Sequence, residues 1–184
     1  MTHEQFLEVM QKRIASGAVT PSAARNMGPR GTVRAARKFL ADKIALRDVG
    51  ASGQNYPQLL DGLTRRLVRT LPKQAQHWGA ARKFLNIFLR DAAYNIYLRS
   101  AYRLDRIENQ LEVPLDSHMA RELKQAMRNL NINNPSLPRW KTVISIDSRI
   151  NKRYQDVARK IARRERIDPV HLDVIAWRKS SGYL

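Results

Sequence analysis

The chain has 184 residues, which is long enough for one sizeable hydrophobic core without disulfides. It contains no cysteine, so a thiolate nucleophile, an iron–sulfur cluster and a cysteine-ligated zinc are excluded, and its scattered histidines lack metal-site spacing, so neither a metal nor a cofactor is expected. Lys and Arg total 34 against 16 Asp and Glu, and the net charge of +18 on a chain that is 43% hydrophobic predicts a folded protein that attracts polyanions.

The first half of the sequence predicts a succession of helices. Apolar residues recur at helical spacing, and no stretch shows the alternation of strands joined by a hairpin turn, so the expected fold class is all-α. Thr2 is the expected cap of the first helix, and Pro72 ends the last helix of this half. The helices are expected over about 2–16, 20–28, 32–46 and 60–71, with a glycine-containing loop over 47–55.

The second half continues the helical pattern. One long helix is expected from about Gln74 to Arg103, and the last major helix turns Ile150, Tyr154 and Val157 inward while basic residues crowd its other faces. Shorter helices are expected over about 105–111, 117–130 and 169–179, with an Asn- and Pro-rich loop over 131–138. We expect residues 1–184 to form a single compact domain, with two lobes around a cleft as the alternative arrangement.

The excess of positive charge favours a nucleic acid as the partner, with an anionic membrane surface as a weaker alternative. The longest apolar runs have only a few residues, so no membrane span is expected, and Glu4 and Glu8 in the first helix argue against a signal or transit peptide. With the absence of cysteine, these features predict a cytoplasmic, nucleoid-associated protein. We expect it to act as a monomer.

Two short motifs carry the chemistry of the chain. The first is His77-Trp78-Gly79-Ala80-Ala81-Arg82-Lys83-Phe84-Leu85-Asn86, and the second is Val113-Pro114-Leu115-Asp116-Ser117-His118. Together they resemble the helix-hairpin-helix superfamily of DNA glycosylases, in which the pattern L-P-G-V-G-R-K-T-A-N enters a helix and P-V-D-T-H opens a later one. The matching residues are Gly79, Arg82, Lys83, Asn86, Pro114, Asp116 and His118, and the departures are His77, Trp78 and Ala81.

The resemblance covers about residues 71–130 and implies a two-lobed helical glycosylase-like fold with a degenerate helix-hairpin-helix motif and no iron–sulfur cluster. It implies an enzyme that flips a damaged or modified base out of duplex DNA and hydrolyses its N-glycosidic bond to leave an abasic site. DNA is then the partner, and the role is repair or defence against modified viral DNA. An associated lyase activity is left open.

Asp116 is the candidate catalytic carboxylate that the resemblance implies. Breaking the bond between a base and deoxyribose builds positive charge on the sugar, and a carboxylate near C1′ stabilises that charge. Asp116 also precedes a predicted helix, so capping of this helix is the alternative role, and the two roles are compatible.

Lys83 falls where bifunctional members of the superfamily carry an amine nucleophile. An unprotonated amine attacks C1′ and forms a Schiff base that permits strand cleavage. This requires a pKa lowered by burial or by neighbouring positive charge such as that of Arg82. An ordinary exposed lysine is the alternative, and water then attacks C1′ so that the enzyme makes only abasic sites.

The remaining candidates divide into base contacts and DNA contacts. The expected pocket residues are Trp78, His77, Tyr94, Tyr97, Trp140 and His118, the last as a support of local hydrogen bonding. The expected DNA-contacting residues are Gly79, Ala81, Arg82, Arg34, Arg37, Lys38 and Arg121. Core packing is the alternative for each aromatic residue, and simple solvation is the alternative for each cation.

Two further functions remain open on the sequence. One is a non-enzymatic helix-hairpin-helix DNA-binding module, in which the hairpin grips the backbone and Asp116 is only a cap. The other is an RNA-binding or ribosome-associated protein, which explains the charge but not the motifs. Near the carboxyl end, His171 and Asp173 lie two apart on a predicted helix and point to different faces, so they are not expected to form a catalytic dyad.

Overall fold

The computed structural model describes residues 1–131 and 137–180, with side chains as far as residue 176. All regular secondary structure within these ranges is helical, which confirms the all-α prediction. The α-helices are α1 (His3–Ala18), α2 (Thr32–Asp42), α3 (Leu46–Ala51), α4 (Tyr56–Thr70), α5 (Trp78–Tyr94), α6 (Ile96–Tyr102), α7 (Ser117–Asn129), α8 (Ser148–Glu165) and α9 (His171–Ser180). Short 3₁₀ helices span Gly53–Asn55, Lys73–Ala75, Leu104–Gln110 and Val143–Ser145.

Side-chain caps fix several helix starts. The predicted cap at Thr2 is confirmed: its hydroxyl accepts from the Gln5 amide at 3.2 Å, and the Gln5 side chain accepts from the Thr2 amide at 2.8 Å. Asp147 caps α8 by accepting from the Ile150 amide at 2.8 Å. Each cap satisfies a backbone donor that the first helical turn leaves unpaired.

The prediction of a helix over 20–28 is wrong. Thr20 instead closes a single turn, with its hydroxyl accepting from the Ala23 amide at 3.0 Å and its carbonyl accepting from the Ala24 amide at 3.0 Å. Asn26 adopts the left-handed conformation (φ 59°), which ends the turn before a helix can propagate. The segment therefore remains a folded loop, and its residues 22–27 form part of a cavity wall.

The predicted loop over 47–55 is also wrong, since α3 and a 3₁₀ turn occupy it. Gly50 explains the error. A Cβ on Gly50 would lie 1.8 Å from the Tyr102 carbonyl oxygen, so this glycine permits close approach of α3 to the end of α6 rather than breaking a helix. The predicted helix over 32–46 accordingly divides into α2 and α3, with the break at 43–45.

The long helix expected over 74–103 is broken in the structure. Its first residues form a 3₁₀ turn, and Asn95 separates α5 from α6. The Asn95 side chain accepts from the Leu98 amide at 3.0 Å, so it caps a new helix instead of continuing the old one. The helix expected over 105–111 is 3₁₀, and the loop expected over 131–138 lies largely outside the described residues.

Two hydrophobic clusters organise the described residues. The larger surrounds α5, which buries Phe84, Leu85 and Phe88 completely and contacts α1, α2, α4 and α6. The smaller packs α7 against α8 and α9. Trp140 contacts both clusters and meets the Tyr154 ring edge-on at 5.7 Å between centroids. The candidate site lies near this junction.

Candidate active site

Lys83 and Asp116 lie side by side in the structure. Lys83 belongs to α5, whereas Asp116 is the residue directly before α7. The Lys83 Nζ atom is 3.7 Å from Asp116 Oδ2. The fold thus brings together the two residues that the sequence motifs indicate as catalytic candidates.

The two carboxylate oxygens of Asp116 face different partners. Oδ1 accepts from the Met119 amide at 2.9 Å and caps α7, while Oδ2 faces Lys83. The side chain is 25% exposed, so it reaches solvent without being free to swing. Capping and a role at a reacting centre are therefore compatible in one fixed conformation.

The Lys83 amine is held in a largely buried position. Its side chain is 9% exposed, and the amine donates to the Ala23 carbonyl at 3.4 Å. Burial lowers the pKa of Lys83, and the negative charges of Asp116 and Asp173 act in the opposite direction without cancelling it. The amine consequently loses its proton more readily than an ordinary lysine.

A cavity of about 580 Å³ opens beside these two groups. Three parts of the chain form its wall: the folded loop after α1, the start of α7, and the segment after residue 139. Its polar and aromatic lining consists of Ser22, Arg25, Asn26, Lys83, Asp116, Ser117, His118, Trp140, Lys141 and Thr142. Of the expected pocket residues, Trp140 and His118 are thus brought to the Lys83–Asp116 pair.

His118 ties α7 to α9. Its Nε2 atom lies 3.2 Å from the Ala176 carbonyl oxygen, which can only accept, so Nε2 carries the proton. Nδ1 then accepts from Arg121 at 2.8 Å. His118 thus contacts both the carboxyl-terminal helix and Arg121 on its own helix.

The structure does not bring Trp78 to this cavity. Its ring lies under the Arg82 guanidinium, 5.0 Å from the guanidinium carbon, and lines a separate cavity with Asp61 and Glu112. Because α5 starts at Trp78 itself, the ring projects from the side of α5 that carries Arg82 and not Lys83.

The other expected pocket residues also point elsewhere. Tyr94 lies at the far end of α5, where its hydroxyl is 2.7 Å from His171 Nδ1. Tyr97 packs edge-on against Phe6 with ring centroids 5.0 Å apart, and His77 lies 3.1 Å from the Gln74 carbonyl. None of these residues lines the cavity beside Lys83 and Asp116.

The structure also corrects the expected hairpin contacts to DNA. A Cβ on Gly79 would lie 2.1 Å from the Val143 carbonyl oxygen, so this glycine admits the 3₁₀ turn at 143–145 rather than a phosphate. Ala81 is fully buried, and Arg82 is only 6% exposed because it pairs with Glu112 inside the molecule. All three belong to the buried part of α5 and pack against protein.

The remaining DNA-contact candidates are accessible to different degrees. Arg34 and Arg121 are exposed, and Lys38 is exposed while lying 3.4 Å from Asp42. Arg37 is half-buried because its Nε donates to the Val19 carbonyl at 2.9 Å. Of these four residues, Arg34 is therefore the cation most accessible to DNA.

Asp173 is a site residue that sequence reasoning set aside. It is 3% exposed and pairs with Arg90, while its neighbour His171 bonds to Tyr94, so the two residues do face different partners. Burial raises the pKa of Asp173, Arg90 opposes that rise, and the Asp116 charge adds to it. A carboxylate therefore lies within electrostatic reach of both Lys83 and Asp116.

Comparison with protein-family models, curated protein sequences and solved structures finds no match to the chain. In the described ranges, no three or more His, Asp or Glu side chains converge where they could hold a metal ion. None of the helices there is long and apolar enough to cross a membrane.

Proposed function

We propose that this protein is a DNA glycosylase that excises a damaged or modified base from DNA and leaves an abasic site. The observation that carries the proposal is the 3.7 Å approach of Lys83 to Asp116 at the wall of an open cavity. The two residues come from separate sequence motifs and lie 33 positions apart in the chain, one on α5 and one directly before α7. Their proximity supports a shared role at the cavity.

Asp116 stabilises the positive charge that develops on the sugar. As the bond from C1′ to the base breaks, its electron pair leaves with the base and the deoxyribose becomes oxocarbenium-like. Asp116 lines the cavity, its Oδ2 lies near the Lys83 amine, and the Met119 amide holds Oδ1 in place. The carboxylate is therefore preorganised, so little reorganisation is needed during the reaction.

Lys83 supplies the attacking amine. Its lone pair forms a bond to C1′ as the base departs, the amine then loses its proton, and opening of the sugar ring gives an imine. The lowered pKa of Lys83 favours the unprotonated form that attack requires. The imine allows β-elimination of the 3′ phosphate, which is the lyase activity left open by the sequence.

The cavity offers a receptacle for a flipped nucleotide. A flipped base needs an apolar face on which to stack and polar groups that read its edge. Trp140 provides the aromatic surface, and Ser22, Asn26 and Thr142 provide hydrogen-bonding groups. Arg25 and Lys141 add positive charge to the wall, where the phosphates on either side of the base would lie.

Base release from duplex DNA tests the proposal. Duplexes that carry oxidised, alkylated or hypermodified bases are incubated with the protein and treated with alkali, which cleaves the strand at abasic sites. We expect cleavage at the modified position with at least one class of base, and the released base is identified by mass spectrometry. Binding to DNA without release of any base from these duplexes or from genomic DNA would instead favour the non-enzymatic binding module.

A further inference from the structure

A buried polar network centres on Arg82, the residue next to Lys83 in α5. Arg82 donates to both oxygens of Glu112, from Nε at 2.8 Å and from Nη2 at 3.0 Å. Asn86 donates to the same carboxylate at 3.0 Å, and Asn151 donates to its two oxygens at 3.1 and 3.2 Å. One carboxylate thus connects α5, α8 and the segment before α7.

The Arg82–Glu112 pair at the centre of the network is buried, with Arg82 6% and Glu112 9% exposed. Burial would raise the pKa of Glu112, but Arg82 and the amide donors of Asn86 and Asn151 outweigh it and hold this pKa below its ordinary range. The third arm of Arg82, Nη1, is held by Thr64 and by Asp61, each at 2.9 Å. Burying two charges is costly, so such a pair persists only with this degree of hydrogen bonding.

Each half of the ion pair is joined by a short stretch of backbone to a candidate catalytic residue. Arg82 is the neighbour of Lys83 on α5. Glu112 is followed by the buried stretch 113–115, which ends at Asp116. Within that stretch Val113 makes two backbone bonds to Gln155, donating at 3.0 Å and accepting at 2.9 Å. The backbone that joins the ion pair to the site is therefore short and held in place.

We propose that Glu112 is a positioning residue, whose two-oxygen bond to Arg82 sets the distance between the Lys83 amine and the Asp116 carboxylate. The proposal that Lys83 and Asp116 do chemistry on DNA is the premise of this inference. An apolar contact would hold α5 to the segment before α7 without fixing its register, because hydrophobic attraction is not directional. A forked guanidinium–carboxylate pair fixes both distance and orientation.

The direction in which the pKa of Lys83 changes separates a positioning role of Glu112 from a simple effect of its charge. Loosening the contact between α5 and the segment before α7 admits water to Lys83, which raises its pKa, and also draws Asp116 away, which lowers it. Burial is the larger of the two influences, so the net effect is a rise in that pKa. Removing the Glu112 charge with no movement would lower it, because a negative charge near an amine favours protonation. The two explanations predict opposite shifts.

The experiment measures the pKa of Lys83 by competitive labelling. The full-length protein reacts briefly with acetic anhydride over neutral to alkaline pH, and mass spectrometry of the peptide that contains Lys83 gives the midpoint of its labelling. The exposed lysines of the same sample serve as internal references. The variants are Glu112→Gln and Arg82→Lys, which retains the charge but loses the fork. Asp61→Asn is the matched control, since it removes a partner of Arg82 that does not touch Glu112.

We expect the labelling midpoint of Lys83 to rise toward that of the exposed lysines in both test variants and to stay unchanged in Asp61→Asn. Base release should lose about 10²-fold in kcat with little change in KM, the usual cost of misplacing reacting groups by about 1 Å. Arg82→Lys alone decides the matter if Glu112→Gln fails to fold. A midpoint of Lys83 that stays put or falls in the folded variant would overturn the positioning role.

The labelling measurement needs no DNA, so it is independent of the proposed function. A wild-type protein that releases no base contradicts the proposed glycosylase activity, while the labelling midpoints still report whether the ion pair fixes Lys83. Conversely, an active enzyme whose Lys83 midpoint is the same in wild type and Arg82→Lys retains the glycosylase assignment and loses Glu112 as its positioning residue.

Discussion

At the scale of single residues, Asp116 and Asp147 form a natural pair for experiment. Both cap a helix with one carboxylate oxygen, but only Asp116 turns its other oxygen toward Lys83. Asparagine caps helices about as well as aspartate. We therefore expect Asp116→Asn to reduce base release by at least about 10²-fold, because the charge that stabilises the sugar cation is lost.

Asp147→Asn is the control for this prediction. It should leave base release at the wild-type level, and both variants should unfold within about 0.5 kcal/mol of wild type, the scale of a surface substitution that retains its cap. DNA affinity, measured by fluorescence anisotropy, should be retained in both. Normal turnover by Asp116→Asn would reduce Asp116 to a helix cap.

Lys83 leads to a prediction about pH. Because burial holds the pKa of Lys83 below the ordinary lysine value, the reactive unprotonated fraction rises with pH and reaches half at a lower pH than for an exposed lysine. Borohydride added during turnover reduces the imine and leaves protein covalently bound to DNA, so trapping should increase with pH through that lowered midpoint. Trapping is measured by denaturing gel electrophoresis.

Lys141→Gln is the matched control, since Lys141 lines the same cavity but is exposed and, among the described residues, forms no ion pair with Asp116. Lys83→Gln should abolish trapping, and Lys141→Gln should retain it. If the active wild type gives abasic sites but no trapped complex, water is the nucleophile and Lys83 is a pocket contact.

The candidate site was only partly predictable from the sequence at this scale. The two motifs indicated Lys83 and Asp116, and the structure brings them together. Asp173 was considered only as a partner of His171, and its ion pair with Arg90 had no local signal because the two residues belong to helices far apart in the chain. Trp78 was assigned to the base pocket by its place in the motif, but the start of α5 at Trp78 turns its ring toward Arg82.

At the scale of elements, the packing of α5 against the 143–145 turn depends on Gly79. A Cβ there would meet the Val143 carbonyl oxygen at 2.1 Å and the Ile146 Cβ at 2.9 Å, and backbone cannot yield as a flexible side chain does. Gly79→Ala should therefore destabilise the fold by about 1–3 kcal/mol, the usual cost of overpacking. Urea unfolding followed by circular dichroism measures the change.

Gly62 supplies the opposite case, since a Cβ there meets nothing within 4 Å inside α4. Gly62→Ala should raise the free energy of unfolding by up to about 1 kcal/mol, the difference in helix propensity. A Gly79→Ala variant as stable as Gly62→Ala would contradict the packing described for the start of α5.

Helix identity was easier to predict than helix ends. Buried apolar residues at helical spacing predicted α1, α4, α5, α7 and α8, all of which the structure contains. The errors at Gly50 and Asn95 are opposite in form. Gly50 was taken as the mark of a loop, whereas it allows a close contact between α3 and the end of α6. Asn95 was taken as part of one long helix, whereas its side chain caps a new one. Those functions depend on neighbours that a local pattern does not contain.

At the scale of the whole molecule, two hydrophobic clusters meet beside the cavity. The composition predicted a folded core. The helical spacing of apolar residues does not show that they divide between two clusters, because an amphipathic helix can bury its apolar face against either cluster. The cavity itself could not be predicted from motifs, since much of its wall is loop from 22–27 and 140–144. The function proposed for the cavity also depends on positive charge elsewhere on the molecule.

The net charge of +18 predicts how binding responds to salt. If DNA is the partner, log K falls linearly with log salt by about 0.9 for each neutralised phosphate. Arg34→Gln should reduce that slope by about 0.9 and weaken binding equally for every duplex, because an exposed cation on α2 contacts the DNA backbone and not the base edges.

Trp140→Ala, in the cavity, should weaken only the binding of duplexes that carry the excised base and leave the slope unchanged. Anisotropy titrations at several salt concentrations, with unmodified and modified duplexes, measure both effects. A flat salt response in the wild type would remove nucleic acid as the partner, and a sequence-dependent loss in Arg34→Gln would move this residue from the backbone to a base edge.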